Sequence, residues 1–242
     1  MTSVTASVIE RSEVVPGFAD FGIRAFTTTR AVGSFGLLGT EPVREVFGRW
    51  NELREELRDG APSGRLATAG QVHGANVLIH RPGWSGWLRA ESADGHVSID
   101  RGTGLAVTIA DCVPVFIAHP SGAIAMLHSG WRGTAARILE RGIAALTASG
   151  LAVSDLRVHT GPAICGECYE VSADVYAQLT GRNPGKPTTI DLRALIADHA
   201  KAIGVRHITT TDSCTRCDNG DFFSHRAGDE GRQLGVMIAD AR

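Results

Sequence analysis

Apolar residues recur along this chain with two different periods. Between residues 42 and 58 they follow the 3.6-residue period of an amphipathic helix, with charged residues between them. The same period predicts helices over residues 134–148, after Asp191 as the N-cap, and over residues 231–239. Short apolar runs predict strands near residues 23–28, 75–81, 156–160 and 208–211.

Three apolar runs follow one another between residues 104 and 128, with the sequences AVTIA, VPVFIA and AIAMLH. The first break contains Asp111 and Cys112, and the second is a Pro-Ser-Gly turn at residues 120–122. The turn favours a hairpin in a buried sheet. Because helices and strands mix without strict βαβ alternation, the sequence predicts an α+β fold in which helices cover mixed β-sheets.

Length and composition predict one globular domain. A chain of 242 residues lies within the size of single domains, which run to about 250 residues. We expect residues 1–15 to form a loose N-terminal segment and residues 16–242 to form the domain. With 24 Lys and Arg against 26 Asp and Glu, the formal net charge is −2, which argues against a nucleic-acid-binding module.

No apolar run reaches the roughly 18 residues that a membrane span needs, and the N-terminus lacks the basic start of a signal peptide. The sequence therefore predicts a cytoplasmic protein without membrane partners. Five Cys residues are an odd number in such a chain. Reduced thiols are expected in the cytoplasm, which favours metal binding or catalysis over a disulfide framework.

Three potential metal ligands lie at the ends of apolar elements. His73 stands in QVHG before a strand, Cys112 in ADC between two strands, and His128 in HSGWRG between a strand and a helix. Two imidazoles and one thiolate form a three-ligand zinc set of the catalytic kind, which leaves a fourth position for water or substrate. The spacings of 39 and 16 residues are too long for a zinc finger. From spacing alone, the favoured interpretation is that these three residues lie apart in the fold.

The motifs QVHG, ADCVPV, HSGWRG, GPAICGECYEV and CTRCDNGDFFSHR, in this order, resemble the YfiH/laccase-domain family. The resemblance covers roughly residues 66–239. Its members were long labelled multicopper polyphenol oxidases, and were later described as purine nucleoside phosphorylases with adenosine deaminase activity. The resemblance implies a single YfiH-like catalytic domain with a zinc site whose ligands are His73, Cys112 and His128; copper is the older alternative.

The resemblance also implies the substrates. They would be inorganic phosphate and a purine nucleoside of the adenosine, inosine or methylthioadenosine class, bound by a monomer or weak homodimer. Arg30 and Arg226 match family positions and are candidates to clamp phosphate through their planar guanidinium groups. The alternative for each is a salt bridge. The loop after Arg30 lacks a Gly and an Asn of the family pattern, and Ala227 replaces a second family Arg.

Three further residues have two interpretations each. Arg132, at the start of a helix, suits phosphate binding, although packing of the turn with Trp131 is slightly preferred. Asp111 is a candidate to orient a ligand His or to transfer a proton, and it equally suits a turn cap. Asp94 resembles a recurrent Asp of the family, with turn formation as the alternative.

Four of the cysteines form two CxxC pairs, Cys165 with Cys168 and Cys214 with Cys217. This spacing suits a structural zinc site with four Cys ligands. We nevertheless expect the pairs not to bind metal. The first pair lies inside GPAICGECYEV, a motif to which the family resemblance assigns no metal.

Three competing functions remain. A copper laccase is less favoured, because none of the nine His residues stands two positions from another. A cysteine hydrolase would use Cys112 as nucleophile and His128 as base. A quality-control factor for peptidoglycan precursors is the third, and the altered loops around Arg30 and Arg226 favour it.

Overall fold

The computed structural model describes residues 6–241, which form two large β-sheets, five α-helices and a short two-stranded ribbon. The strands and helices are numbered in chain order. The first sheet has the strand order β1 (Ser12–Val14), β2 (Ile23–Thr28), β14 (Gln233–Ala239), β7 (Gly104–Ile109), β3 (Leu66–Ala69) and β5 (Trp87–Ala90). The second sheet has the order β13 (His207–Thr210), β10 (Arg157–Thr160), β8 (Val113–Ala118), β9 (Ile124–Ser129), β6 (Gly95–Ser98) and β4 (Val77–His80).

The remaining elements lie outside these sheets. The ribbon pairs β11 (Glu170–Val171) with β12 (Thr188–Thr189). The helices are α1 (Val43–Glu56), α2 (Trp131–Ala135), α3 (Ile138–Thr147), α4 (Ala173–Thr180) and α5 (Leu192–Ala202). Both large sheets combine parallel and antiparallel pairs, so the prediction of a single α+β domain with mixed sheets covered by helices is confirmed. No helix within residues 6–241 is long and apolar enough to cross a membrane.

The two large sheets stack face to face, and helices cover both outer faces. Alternation along β8 shows how the sequence builds these layers. Val115 and Ile117 pack with Ile143 of α3 and Ile196 of α5, whereas Phe116 packs against the first sheet. On the opposite side, buried residues of α1 pack against the outer face of the first sheet: Val46, Trp50 and Leu53.

Several sequence-based predictions are confirmed. The helix expected over residues 42–58 is α1, and the Pro-Ser-Gly turn joins β8 to β9 as an antiparallel hairpin. The carboxylate of Asp191 accepts hydrogen bonds from the backbone N–H groups of Arg193 and Ala194, so Asp191 is the N-cap of α5. The helix expected over residues 134–148 is instead divided into α2 and α3 at Arg137, whose φ is 62°.

The last predicted element is wrong. Residues 231–239 were expected to contain a helix, but Gln233–Ala239 is the strand β14, paired with β2 and β7. Every residue of this strand is buried, because one face meets the second sheet and the other meets α1. A strand buried on both faces has a continuous apolar run, and periodicity does not distinguish such a run from a buried helix.

Residues 6–15 are the described part of the segment expected to form a loose N-terminus, and they contact the first sheet and α1. Residues 1–5 lie outside the described residues. Ser12–Val14 pairs with β2 as an edge strand, and Val8 and Val15 are buried. The carboxylate of Glu56 accepts the N–H groups of Val8 and Ile9, which ties this segment to the end of α1.

Candidate metal and active site

The three predicted metal ligands meet at one edge of the sheet stack. His73 follows β3, Cys112 lies between β7 and β8, and His128 is on β9. One donor atom from each lies within 4.8 Å of the others. The rings of His73 and His128 stand edge to face, with centroids 4.8 Å apart. The interpretation that these residues lie apart is therefore excluded by the fold.

Strand register explains this convergence. The strands β3 and β7 are parallel neighbours, so the loops that follow them leave the same edge of the first sheet. In the β8–β9 hairpin, Pro114 pairs with His128 and Val113 pairs with Ser129, which places Cys112 beside the end of β9. The ligands are thus 39 and 16 residues apart in sequence but adjacent in space.

Gln71 fixes the loop that carries His73. Its side-chain oxygen accepts the backbone N–H and the hydroxyl of Thr108, at 2.7 and 2.8 Å, and its amide nitrogen donates to the Thr108 carbonyl at 2.8 Å. These three bonds continue the pairing of β3 with β7 beyond its last residue. The Gln of QVHG therefore has a structural role that the sequence alone did not indicate.

Asp94 is the centre of the hydrogen bonds behind the predicted metal ligands. Its buried carboxylate accepts the backbone N–H groups of Val72, His73 and Gly74, and it contacts Nδ1 of His128 at 2.8 Å. Burial alone would raise the pKa of Asp94, but the bonds to His128 and to the loop N–H groups lower it. Asp94 thereby orients Nε2 of His128 towards the ligand cluster, as a carboxylate commonly does for a metal-binding His.

Asp111 has a different role from the one considered for it as a partner of a ligand His. Its carboxylate accepts the hydroxyl of Thr215 at 2.7 Å and the backbone N–H of Arg226 at 2.6 Å. The residue that orients His128 is Asp94, not Asp111. Asp111 has a φ of 79° and His73 a φ of 58°, so the backbone on both sides of the site adopts the left-handed conformation that residues other than glycine rarely adopt.

Glycines of the HSGWRG motif leave space for the ligands. A Cβ atom on Gly130 would lie 2.8 Å from Sγ of Cys112 and 3.5 Å from the ring of His73. A Cβ atom on Gly133 would lie 2.9 Å from the carbonyl oxygen of Gly74. Because both residues are glycines, the start of α2 can lie in direct contact with the loops that carry His73 and Cys112.

The Cys112 and His128 side chains are electrostatically coupled. Burial opposes a charge on either group, but the attraction between them outweighs it. This attraction lowers the pKa of Cys112 to about 6 and, with the carboxylate of Asp94, raises the pKa of His128 to about 9. The cluster favours a thiolate at neutral pH, and the thiolate is the form of Cys that binds metals.

Tyr169 is a functional candidate that the sequence did not single out. Burial raises its pKa to about 12, and the charges of Cys112, Arg226 and Arg132 all act on it. The guanidinium group of Arg226 lies 5.2 Å from the centre of its ring. The aromatic residue that ends GPAICGECY was the available signal.

The three candidate phosphate-binding arginines differ in their partners. Arg30 donates to the carboxylate of Asp229 at 2.7 Å and to the carbonyls of Asn219 and Phe222, so its position favours the salt-bridge alternative. Arg226 is exposed, and its guanidinium donates to the Glu170 carbonyl at 3.2 Å.

Arg132 is also exposed, and its guanidinium stacks over the ring of Trp131 at 4.5 Å. This stacking favours the packing alternative for Arg132. Arg226 lies beside the ring of Tyr169, and Arg132 follows His128 by four residues in HSGWRG, whereas Arg30 is held by the loop of residues 219–229.

Comparison with known proteins identifies the family. The sequence model of the family described as multi-copper polyphenol oxidoreductase laccase matches residues 43–240, and the chain belongs to this family. A purine nucleoside phosphorylase of Streptomyces griseus is 32% identical over 214 residues, which cover 85% of each chain. An adenosine deaminase from an unknown prokaryotic organism is 33% identical over 235 residues, which cover 85% of this chain and 88% of the relative.

Solved structures show the same fold. YlmD from Geobacillus stearothermophilus superposes with a TM-score of 0.85 at 28% identity, over 94% of each chain. YfiH from Bacillus licheniformis superposes with the same TM-score at 20% identity, over 94% of this chain and 96% of its own. The predicted resemblance to the YfiH/laccase-domain family is confirmed.

Proposed function

We propose that this member of the laccase-domain family is a zinc-dependent purine nucleoside phosphorylase that also deaminates adenosine. The observation that carries the proposal is the convergence of His73, Cys112 and His128, with donor atoms within 4.8 Å of one another. The names of the relatives, purine nucleoside phosphorylase and adenosine deaminase, supply the substrate class. Free thiols throughout residues 6–241 support a cytoplasmic location, where the protein would act as a monomer or weak homodimer.

The donor set of this cluster fits zinc. Two imidazole nitrogens and one thiolate suit a borderline-soft ion, and three protein ligands are typical of catalytic zinc sites. When bound, zinc supplies Lewis acidity, which makes water a nucleophile near neutral pH. The copper sites of multicopper oxidases need many His ligands. Within residues 6–241, the two groups of potential metal ligands contain two His residues in all, His73 and His128. The cluster therefore supports zinc over copper.

The residues around the cluster have separate tasks. Asp94 holds the proton of His128 at Nδ1, which leaves Nε2 as the nitrogen that would bind the metal. Tyr169 keeps its hydroxyl proton at neutral pH, because its pKa is about 12, and it can donate a hydrogen bond to a purine base. Arg226 supplies positive charge for phosphate, which is a substrate of phosphorolysis but not of deamination.

The two reactions have distinguishable products. Deamination consumes adenosine and water and yields inosine and ammonia, whereas phosphorolysis consumes adenosine and phosphate and yields adenine and ribose 1-phosphate. The test is to incubate the zinc-loaded protein with adenosine, with and without phosphate, and to separate the products. We expect inosine in both incubations and adenine only with phosphate. Unchanged adenosine in both would contradict the proposal.

A cysteine hydrolase is the second candidate, and one observation favours it. Asp94, His128 and Cys112 lie in series, and the pKa of Cys112 is lowered to about 6, as in a nucleophile paired with a base. Metal dependence separates the candidates. A zinc enzyme loses activity on chelation and recovers it with added zinc, whereas a cysteine hydrolase gains activity once its thiol is free of metal.

A further inference from the structure

The two CxxC pairs form a second cluster, separate from the cluster that contains Cys112. Cys165 and Cys168 lie between β10 and β11, and Cys214 and Cys217 lie after β13. The four Sγ atoms all lie within 4.8 Å of one another. None of the four thiols is in a disulfide.

Strand pairing produces this convergence too. The strands β10 and β13 are parallel neighbours, so the chain leaves both at the same edge of the second sheet. The pairing then continues beyond the strands as an isolated bridge between Ala163 and Cys214, and the N–H of Thr215 donates to the carbonyl of Ala163. Two segments 49 residues apart in sequence are thereby held side by side.

The arrangement of the sulfur atoms matches tetrahedral coordination. Zinc–sulfur bonds of about 2.3 Å place the four sulfurs of a Cys₄ site about 3.8 Å apart. Sγ of Cys168 lies 3.5 Å from Sγ of Cys217. Sγ of Cys214 accepts the backbone N–H groups of Cys165 at 3.3 Å and Cys217 at 3.4 Å, which is the support that a metal-binding thiolate needs.

We propose that Cys165, Cys168, Cys214 and Cys217 bind a structural zinc ion, separate from the cluster of His73, Cys112 and His128. This is the reverse of the expectation from sequence, in which the two pairs do not bind metal. Four sulfur ligands close the coordination sphere, so the ion has no open position for a substrate. The proposal rests on the geometry of the four thiols and does not depend on the proposed enzymatic activity.

The second ion would stabilise the loops that border the active site. Thr215 lies between Cys214 and Cys217, and its hydroxyl donates a hydrogen bond to the carboxylate of Asp111. Asp111 directly precedes Cys112 in the sequence. Tyr169 directly follows Cys168, and its backbone N–H donates to the carbonyl of Cys165. Loss of the ion would therefore release two residues that contact or border the cluster around Cys112.

The test is zinc content, measured by elemental analysis after equilibration with zinc under reducing conditions and removal of unbound metal. The informative variant is the double substitution Cys168→Ser and Cys217→Ser, because these thiols are more exposed than Cys214 and their loss disturbs packing least. The matched control is Cys112→Ala. We expect about two zinc ions per wild-type chain and about one in each variant. The ion that remains should lie among His73, Cys112 and His128 in the double variant, and among the four cysteines in Cys112→Ala.

The outcomes separate this proposal from the proposed function. One zinc in the wild type, lost in the double variant and kept in Cys112→Ala, would support the Cys₄ site while contradicting zinc at His73, Cys112 and His128. Equal zinc content in the wild type and the double variant would overturn the Cys₄ site. A disulfide between Cys168 and Cys217 in zinc-equilibrated, reduced protein, found by peptide mass spectrometry, would also overturn it.

A spectroscopic measurement covers the case in which the double variant does not fold. In the Cys112→Ala variant, X-ray absorption at the zinc edge should show four sulfur neighbours at about 2.3 Å and no nitrogen neighbour. A mixed nitrogen and sulfur shell would contradict the proposal. Zinc at about 1,000 times its dissociation constant should raise the apparent melting temperature of this variant by on the order of 10 °C.

Discussion

The chain has two thiol-containing clusters that differ in number and type of donor. The cluster of His73, Cys112 and His128 offers three donors of two kinds and is supported from behind by the buried carboxylate of Asp94. The cluster of four cysteines offers four donors of one kind and is supported by backbone N–H groups. Three ligands leave a position for substrate and four do not, so the comparison assigns chemistry to the first cluster and stability to the second.

The two clusters also differ in the residues and the backbone conformation around them. A buried carboxylate and two left-handed residues surround the first cluster. Such constraints are costly, and they collect at functional sites. The second cluster is built from two short turns with ordinary backbone, and one of its thiols is exposed. A structural ion needs only the convergence of its ligands.

The largest expected effect comes from Cys112→Ala. This change removes the one thiolate of the first cluster, so we expect loss of that zinc and of all adenosine turnover, while the zinc of the four cysteines stays. Zinc content and product formation, measured on the same preparation, check the prediction. Full zinc occupancy with normal turnover would show that the first cluster is not the metal site.

The next effect comes from Asp94→Asn, which removes the charge behind His128 without changing the size of the side chain. Loss of a residue that orients a metal ligand typically costs about 10- to 100-fold in metal affinity or activity. Competition with a chelator measures the affinity, and Asp198→Asn, on the exposed side of α5, is the control. An unchanged affinity would show that Asp94 only shapes the loop of residues 72–74.

A smaller effect should separate the two reactions at the first cluster. We expect Arg226→Ala to lower phosphorolysis by roughly tenfold and to leave deamination nearly intact, because only phosphorolysis needs a bound dianion. Arg226→Lys should recover part of the loss, since an ammonium group lacks the bidentate fork. Separate assays of adenine and inosine measure the two rates.

Arg30→Ala is the contrasting variant. Its guanidinium is held by Asp229 and by two backbone carbonyls, so this change should lower the melting temperature and leave the ratio of adenine to inosine unchanged. If Arg226→Ala lowers both products equally at unchanged stability, Arg226 contacts the nucleoside and not the phosphate.

The smallest effect is a shift in reactivity of the zinc-free protein. Because the pKa of Cys112 is lowered to about 6, its alkylation rate should rise as pH increases through about 6, whereas ordinary cysteines become reactive near their usual pKa of about 8.5. Asp94→Asn should move this midpoint upward, since it weakens the positive charge on His128. Mass spectrometry of the Cys112 peptide follows the reaction. A midpoint near 8.5 would contradict the coupling of Cys112 with His128.

Sequence reasoning reached the first cluster more fully than the second. The motifs around His73, Cys112 and His128 predicted the ligands, but not Asp94 as the residue that orients His128, because that contact spans 34 residues and depends on the pairing of β6 with β9. The CxxC spacing was visible in the sequence. Only the parallel pairing of β10 and β13 shows that both pairs reach one point.

The fold itself was predictable where an element has a polar face or adjoins a clear turn. The amphipathic helix α1 and the hairpin of β8 and β9 follow directly from their patterns. The strand β14 was missed because it is buried on both faces, so its apolar run has no polar face to set a period. The edge strand β1 was missed because its three residues, none of which is buried, carry too little pattern.

Anomalous diffraction at the zinc edge, from crystals of the zinc-equilibrated wild-type protein, tests the assignment of the two clusters most directly. We expect two separate peaks. One should lie among His73, Cys112 and His128 with three protein ligands, and the other should lie among the four cysteines with four. A map with no peak among His73, Cys112 and His128 would contradict the account of this chain as a zinc enzyme.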